Sequence, residues 1–382
     1  MLRYFVIHLL FSRSCMGSFF IRDCDQLRTL HTERPLSQSL LDVSKMELFL
    51  VLLLVLFLLF VVIPIVWKIS YIMKRTVLFL NYIRHPYNTD VTKPSQVGIK
   101  GGINFYINTK DGARLGTWHI LPQHLAEEGD ALPKQEKRDR FDKWVRNGDP
   151  VVLYMHGTSG TRAVSQRVEL YKIFQKLNFH VIAVDYRNYA ESTGIGLNET
   201  TFTIDSKAVF KYFHDRVQND RLFVWGHSMG TGISSRFLSD LEDQEGILAA
   251  GLILESPFNN IRELVRNFPF TKWFRFFPYF DYCFLDSLAD DGLYFASDKN
   301  LLKTTIPVLI LHAEDDAIIP LELAKMLHDS VRKRGEKYIL DIKTYPAEYH
   351  YGHLHICRDP RLPEIIENFK TASMNNFKNR IR

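Results

Sequence analysis

The fold is decided by residues 222–241, which read LFVWGHSMG and then TGISSRFLSDL. An apolar run at 222–225 leads into a G-x-S-x-G pentapeptide at 226–230, and a helix-like pattern follows it. A buried strand that turns sharply into a helix presents its serine above the sheet edge, and the flanking glycines remove side chains that would clash in the turn. The new helix also points the positive end of its dipole toward developing negative charge. This context predicts that Ser228 is a nucleophile rather than an incidental turn residue.

Further apolar runs alternate with helical patterns on both sides of this strand. Strands are predicted at 103–106, 113–119, 151–155, 181–185, 222–225, 252–255, 308–312 and 338–345, with helices that include 168–177 and 206–217. Continuous apolar runs between helices indicate a mostly parallel sheet with helices on both faces. We predict one α/β catalytic domain over 100–372, with a charged and exposed insertion at 123–149.

A serine hydroxyl needs a base to take its proton and a carboxylate to orient that base. Where the serine lies on such a turn, the acid and the base follow it in the chain, each in a loop after a late strand. The strand at 308–312 runs into a loop that holds Glu314, Asp315 and Asp316. A carboxylate therefore lies where the acid is expected, and the choice among these neighbours stays open at this point.

Three histidines compete for the role of base, His350, His353 and His355. His353 is favoured because Gly352, which has no side chain, lets the turn bring the imidazole back to the serine. The cluster could instead bind a metal, but no H-E-x-x-H helix or second ligand group supports that interpretation. We expect no metal and no cofactor.

An oxyanion hole requires two backbone N–H groups aimed at the developing charge. One is expected from Met229, directly after the nucleophile. The other is expected from the loop HGTSG at 156–160, with Thr158 as the favoured donor and His156 as a structural residue.

Composition limits the function classes. The 382 residues are 46% apolar and 24% charged with a formal charge of +5, which excludes a disordered chain, a polytopic transporter and a typical nucleic-acid binder. The four cysteines form no CxxC pair, so neither a zinc site nor a disulfide framework is indicated.

A transmembrane helix is predicted at 46–68, because Leu48 to Trp67 is almost wholly apolar and long enough to cross a bilayer. Basic residues flank both ends and leave the orientation open. The sequon Asn198-Glu199-Thr200 predicts glycosylation at Asn198 and fits a lumenal or extracellular catalytic domain. Residues 1–45 are predicted as an N-terminal tail and 373–382 as a C-terminal tail.

Two segments suggest contact with lipid. Residues 69–99 form a juxtamembrane segment whose apolar part, 76–83, fits either the membrane interface or packing on the domain. A cap insertion at about 257–304 is rich in aromatic residues between 268 and 284. We interpret it as part of an apolar substrate pocket, with Trp273 and Phe277 as binding residues, or as a surface that touches the bilayer. The alternative is a purely structural excursion.

The chain resembles the α/β-hydrolase domain-containing protein 12 family, membrane-anchored lipases that act on monoacylglycerols and lysophosphatidylserine. The resemblance extends over about 68–370. It lies in LFLNY at 78–82, RVELY at 167–171, WGHSMGTG at 225–232, LESPF at 254–258 and ILHAEDD at 310–316. It implies the α/β-hydrolase fold, with Ser228 as nucleophile, Asp316 as acid and His353 as base. One departure is DYRNYAES at 185–192, where the family pattern D-x-R-G-x-G-x-S has two glycines.

These features together predict a membrane-bound serine hydrolase that cleaves acyl esters of single-chain lipids through an acyl-serine intermediate. Its expected partners are a lipid substrate and the bilayer, with no nucleic acid. We expect a single-pass protein of the endoplasmic reticulum. The alternatives are a thioesterase, depalmitoylase or amidase with the same residues, and a non-catalytic lipid-binding protein of the same fold.

Overall fold

A computed structural model of the protein describes residues 36–217, 219–335 and 338–380. The chain divides into two compact units, with the boundary between Leu56 and Phe57. Residues 1–35 of the predicted N-terminal tail and 381–382 of the predicted C-terminal tail lie outside the described residues.

The N-terminal part of the described chain is helical and apolar. It comprises α1 (Leu36–Phe57), a π-helical segment (Leu58–Val62) and α2 (Ile63–Ile69). Within it, Lys45–Ile69 is long and apolar enough to cross a bilayer, and hardly any of it is buried inside the protein. Residues 36–45, which we predicted as tail, already belong to the helix.

An eight-stranded sheet forms the centre of the second unit. Its strands are β1 (Gly102–Asn108), β2 (Arg114–Ile120), β3 (Val151–Met155), β4 (His180–Val184), β5 (Leu222–His227), β6 (Gly251–Glu255), β7 (Val308–Ala313) and β8 (Leu340–Tyr345). The spatial order is β1-β2-β4-β3-β5-β6-β7-β8, with antiparallel pairing only for β1–β2 and β2–β4. The predicted, mostly parallel sheet is thus confirmed.

Eleven further α-helices are described in this unit. They are α3 (Tyr71–Phe79), α4 (Gln123–Ala131), α5 (Lys134–Trp144), α6 (Ser165–Lys176), α7 (Glu199–His214), α8 (Met229–Glu245), α9 (Ile261–Asn267), α10 (Ser287–Asp290), α11 (Ser297–Leu301), α12 (Leu321–Arg332) and α13 (Leu362–Arg380). Residues 373–380, predicted as tail, continue α13, and Ser373 packs so close to Gly251 of β6 that an added Cβ there would lie 3.0 Å from its hydroxyl.

Alternate residues of the central strands enter two separate cores. Leu153 and Val224 lie in the core on one face of the sheet, whereas Val152 and Phe223 lie in the core on the other. Because neighbouring side chains of a strand point to opposite faces, a sheet covered on both sides needs apolar residues at every position. This explains the continuous apolar runs in the sequence.

The charged insertion at 123–149 is less exposed than predicted. It folds as α4 and α5, and Phe141 and Trp144 of α5 are buried against Leu121 in a small third cluster. These apolar side chains attach the insertion to the sheet.

The aromatic insertion contacts the last part of the apolar helix. Phe60 lies 5.1 Å from Phe277 and 5.5 Å from Phe274, measured between ring centroids. The Tyr279 hydroxyl donates a hydrogen bond of 2.6 Å to the carbonyl of Phe60, and the Trp67 indole donates one of 3.3 Å to the carbonyl of Phe284. The insertion and residues 57–69 therefore fold as one body.

Two lysines link the helical segment to adjacent aspartates of the insertion. Lys74 of α3 is buried, pairs with Asp291, and donates hydrogen bonds to the carbonyls of Ser287 and Lys68. The second pair joins Lys68 to Asp290, whose side chain is 62% exposed. Two Lys–Asp pairs therefore join the helical segment to the insertion, one of them buried and the other exposed to solvent.

We expect Lys74→Met to destabilise the protein far more than Lys68→Met. The first change leaves Asp291 and a buried carbonyl without a partner, which costs about 3 kcal/mol, whereas an exposed pair contributes about 1 kcal/mol or less. Unfolding of the full chain in neutral detergent measures both. Equal, small losses would contradict the interpretation that Lys74 fastens α3 to the insertion.

Candidate active site

Ser228 lies in a strained turn between β5 and α8. Its backbone has φ 53° and ψ −120°, outside the regions that residues with a side chain normally adopt. The Ser228 N–H donates a hydrogen bond of 2.9 Å to the carbonyl of Glu255 at the end of β6. This strain is the feature expected of a serine presented above the sheet edge.

The two glycines of the pentapeptide are required by close backbone approach. A Cβ added at Gly230 would lie 2.1 Å from the carbonyl oxygen of Met155, and one at Gly226 would lie 2.6 Å from that of Gly230. Backbone atoms cannot move aside as a flexible side chain can. Only glycine lets α8 begin this close to the end of β3.

Ser228, His353 and Asp316 form a continuous chain of hydrogen-bonding contacts. His353 Nε2 lies 3.0 Å from Ser228 Oγ, and His353 Nδ1 lies 2.7 Å from Asp316 Oδ2. Asp316 is in the loop after β7 and His353 in the loop after β8. The carboxyl ends of parallel strands thus bring together three residues that are far apart in the sequence.

Asp316 is held as a carboxylate. Its Oδ1 accepts hydrogen bonds of 2.9 Å from the N–H groups of Ile318 and Ile319. Burial alone would favour the neutral acid, but the contact with His353 outweighs it and holds the pKa of Asp316 below its usual value. A buried carboxylate in this position fixes the proton of His353 on Nδ1.

The other carboxylates and histidines considered as the acid and the base of the triad lie elsewhere. Glu314 is exposed, and Asp315 accepts a hydrogen bond of 3.0 Å from the N–H of Gly352, which supports the loop of His353. His350 is exposed and His355 half-buried, and neither has a described contact with Ser228. Gly352 has φ 52° with open space around it, so the loop needs its backbone freedom rather than its small size.

A small apolar cavity of about 50 Å³ opens beside Ser228. Thr158 and Met229 line it, and Met229 is the first residue of α8, whose N–H has no acceptor within the helix. Gly157 leaves room beside the nucleophile, because a Cβ at position 157 would lie 3.1 Å from that of Ser228. Both residues expected to form the oxyanion hole therefore border the cavity.

The remaining cavity walls were not named individually from the sequence, although four of them lie in the predicted cap insertion. They are Leu78, Phe79, Phe258, Ile261, Leu264 and Phe295. Phe295 has a left-handed backbone with φ 40°. Its N–H donates a hydrogen bond of 2.8 Å to the buried carboxylate of Glu199, which also binds Arg236. The sequence signals for Leu78 and Phe79 were the apolar stretch 76–83 and the segment LFLNY.

Trp273 and Phe277 do not line this cavity, contrary to the prediction that they bind substrate there. The side chain of Trp273 is largely exposed at the end of a 3₁₀ turn, and the ring of Phe277 packs on Phe60 and Tyr279. An aromatic-rich sequence does not tell which rings face inward.

Asn198 of the predicted sequon caps α7. Its side chain accepts a hydrogen bond of 2.9 Å from the N–H of Thr201, whose hydroxyl accepts one from the N–H of Asn198. Glycosylation at Asn198 stays a prediction. Over the described ranges, no group of three or more His, Cys, Asp or Glu side chains could hold a metal ion.

Comparison with known proteins gives the family. A family model of the α/β-hydrolase fold matches residues 150–281. The lysophosphatidylserine lipase ABHD12 of Danio rerio is 35% identical over 317 residues, covering 82% of this chain and 81% of the relative, and that of Gallus gallus is 35% identical with coverages of 81% and 80%. This chain belongs to the ABHD12 family. A hydrolase structure from Vibrio vulnificus, 18% identical with a TM-score of 0.55, covers 77% of this chain and 92% of its own and supports the fold.

The turn at 185–192 keeps its backbone conformation, although its sequence departs from the ABHD12 family pattern. Asn188 and Ala190 stand where the pattern has glycines, and both have left-handed backbones, with φ 63° and 44°. Asparagine tolerates this conformation, whereas alanine is strained in it. The turn is stabilised by Ser192, whose hydroxyl donates a hydrogen bond of 2.7 Å to the carbonyl of Asp185.

Two buried titratable groups lie behind the serine turn. Burial lowers the pKa of His227 to about 3, so its ring is neutral, and its Nε2 lies 2.9 Å from the carbonyl of His353. Burial raises the pKa of Glu255 to about 8, and its Oε2 accepts a hydrogen bond of 2.9 Å from the Trp225 indole. Near neutral pH Glu255 is therefore uncharged, and the carboxylate that contacts the imidazole of His353 is that of Asp316.

The raised pKa of Glu255 predicts a pH-dependent loss of stability. The folded protein keeps this proton up to about pH 8, whereas the unfolded chain releases it near the ordinary value of 4.5. The folded state then binds more protons in this window, so its stability falls as pH rises from 4.5 toward 8. Glu255→Gln keeps an acceptor for Trp225 and removes this titration. We expect the free energy of unfolding of the variant to rise relative to that of the wild type, by a total of roughly a few kcal/mol between pH 4.5 and 8.

Thermal unfolding of the full chain at a series of pH values between 5 and 8 measures the difference. Glu348→Gln, at an exposed carboxylate, serves as the control and should follow the wild type. Parallel curves for Glu255→Gln and the wild type would show that the carboxyl group is already ionised in the folded state.

Proposed function

We propose that this hydrolase is a membrane-anchored serine esterase that cleaves the acyl ester of single-chain lipids, in particular lysophosphatidylserine, related lysophospholipids and monoacylglycerols. The observation that carries the proposal is the chain of contacts Ser228–His353–Asp316 at the mouth of an apolar cavity. The names of the relatives from Danio rerio and Gallus gallus support the choice of lysophosphatidylserine.

The contacts suggest the order of steps. As Ser228 Oγ attacks the ester carbonyl, His353 Nε2 takes its proton, and Asp316 stabilises the imidazolium that forms. The N–H groups of Met229 and Thr158 would stabilise the oxyanion. His353 then gives the proton to the departing glycerol oxygen, and a water molecule activated in the same way releases the fatty acid from Ser228.

The acyl chain is assigned to the apolar side of the cavity, at Leu264 and Phe295. The cavity of about 50 Å³ is much smaller than a long acyl chain. The walls must therefore move to admit a long chain. Leu78 on α3 and Leu264 on α9 are half-buried, so these walls are less enclosed than the buried ring of Phe295.

The triad assignment predicts an order of effects among neighbours. Ser228→Ala should remove labelling by a fluorophosphonate and reduce turnover of lysophosphatidylserine by several orders of magnitude. Asp316→Asn should reduce kcat far more than Asp315→Asn, because only Asp316 touches the imidazole. His353→Ala should likewise reduce kcat far more than His355→Ala.

The full-length variants are compared in detergent, with folding checked by circular dichroism. A reversed order in either pair overturns the site assignment. Wild-type turnover in Ser228→Ala overturns the acyl-serine mechanism altogether. A wild-type chain that the fluorophosphonate labels but that cleaves acyl thioesters and not acyl esters points to the thioesterase alternative.

We also propose that the apolar helix anchors the protein in the endoplasmic reticulum membrane, with the catalytic unit on the lumenal side. Expressed in cells, the wild-type chain should then carry a glycan at Asn198 that an endoglycosidase removes. Thr200→Ala and Asn198→Asp should both abolish the glycan and keep the cap of α7, since aspartate also caps helices well and the cap uses Thr201. A catalytic unit that is digested by protease outside sealed microsomes would contradict this topology.

A further inference from the structure

A second, polar cavity lies between the juxtamembrane segment and the turn that follows β4. It is a groove of about 680 Å³, which we call the arginine groove. Its lining includes Arg75, Asn81, Arg84, Asn188, Ser192 and Thr193. It is far larger than the cavity at Ser228, and most of its lining residues are polar or basic. The side-chain donors of Asn81, Asn188 and Ser192 are bound to backbone carbonyls of the protein, which leaves the two arginines as the charged donors for a ligand.

The two arginines have no anionic partner among the described residues. Arg75 is half-buried and Arg84 exposed, and neither has a described ion pair. Glu191, the one carboxylate in the lining, is bound by the buried guanidinium of Arg162. Guanidinium groups bind phosphate oxygens through paired hydrogen bonds, and an Arg that lacks a carboxylate is free to do so.

One segment of the chain, residues 75–84, borders both the groove and the catalytic cavity, although no single residue lines both. Leu78 and Phe79 line the cavity at Ser228, whereas Asn81 of the same segment lines the groove. The other link is Tyr189, which is buried with its hydroxyl against the carbonyls of Phe79 and Thr158.

Asn188, next to Tyr189 in the chain, also lines the groove. It adopts a left-handed backbone, and its side-chain amide donates a hydrogen bond of 3.2 Å to the carbonyl of Gly196. The turn at 188–189 is therefore fixed beside the groove, and Tyr189 connects it to Phe79 and Thr158 of the catalytic cavity.

The sequence position of the groove also fits a lipid. Arg75 lies shortly after Ile69, where the apolar helix ends, and Arg84 follows α3. Lipid head groups lie at the same level as the ends of such a helix. The charge, the segment that borders both cavities and this position all point to an anionic head group.

We propose that the arginine groove binds the phosphate of the single-chain phospholipid whose ester is cleaved at Ser228. The proposal rests on the function proposed above and adds its head-group site. It predicts that the enzyme discriminates an anionic lysophospholipid from an uncharged monoacylglycerol through Arg75 and Arg84, while both lipids use the same apolar cavity.

The test measures binding rather than turnover. The full chain carrying Ser228→Ala is titrated in neutral detergent with lysophosphatidylserine and with a monoacylglycerol of the same acyl chain. Adding Arg75→Gln and Arg84→Gln together should shift the ratio of the two Kd values against lysophosphatidylserine by roughly tenfold or more. The matched lysine double variant should recover part of the preference, and the shift should shrink in high salt.

Arg275→Gln is the matched control, because Arg275 is an exposed arginine of the aromatic insertion outside the groove lining. It should leave the ratio of Kd values unchanged. An unchanged ratio in the glutamine double variant overturns the proposal, as does equal weakening of both lipids. If that variant loses affinity only for vesicles that contain anionic lipid, the arginines bind the bilayer and not the substrate, which also overturns it.

The proposed function is judged separately. Turnover of lysophosphatidylserine by the wild-type chain tests the hydrolase, whereas the Kd ratio in the Ser228→Ala background does not depend on catalysis. Either can therefore fail while the other stands.

Discussion

The close approach of α8 to the carboxyl end of β3 is the constraint on which the rest of the site depends. It is possible only because residue 230 has no Cβ, which would lie 2.1 Å from the Met155 carbonyl oxygen. This approach sets the strained backbone of Ser228 and puts the first N–H of α8 beside Thr158 at the cavity. The loops after β7 and β8 then need only reach the same edge of the sheet for His353 to touch both Ser228 and Asp316.

The juxtamembrane segment connects the apolar helix to this site. Phe79 is a wall of the catalytic cavity, and Lys74, one turn earlier, is buried against the insertion that also contacts Phe60 and Trp67. The helix end is therefore part of the folded catalytic unit rather than a flexible tether.

The amino-acid sequence predicts the parts of the fold that have a local signal. Strands buried on both faces read as continuous apolar runs, and the serine turn has a motif with a steric cause, so Ser228 and the loops of Asp316 and His353 are predictable from the sequence alone. The cavity walls are not, because Phe295 and Leu78 are brought there by contacts between distant segments. Trp273 and Phe277 were assigned from composition, which does not specify which rings point outward.

The turn at 185–192 shows how one sequence departure can leave a site intact. Its backbone keeps the left-handed conformations at Asn188 and Ala190 that glycine would adopt most easily. The strain at Ala190 is of order 1 kcal/mol, and hydrogen bonds of the kind made by Ser192 and Asn188 are each of similar size. The chain can therefore keep the position of Tyr189, which supports Thr158, without the glycines. What changes is the chemistry of the turn's outer surface, since Asn188 now adds an amide to the groove.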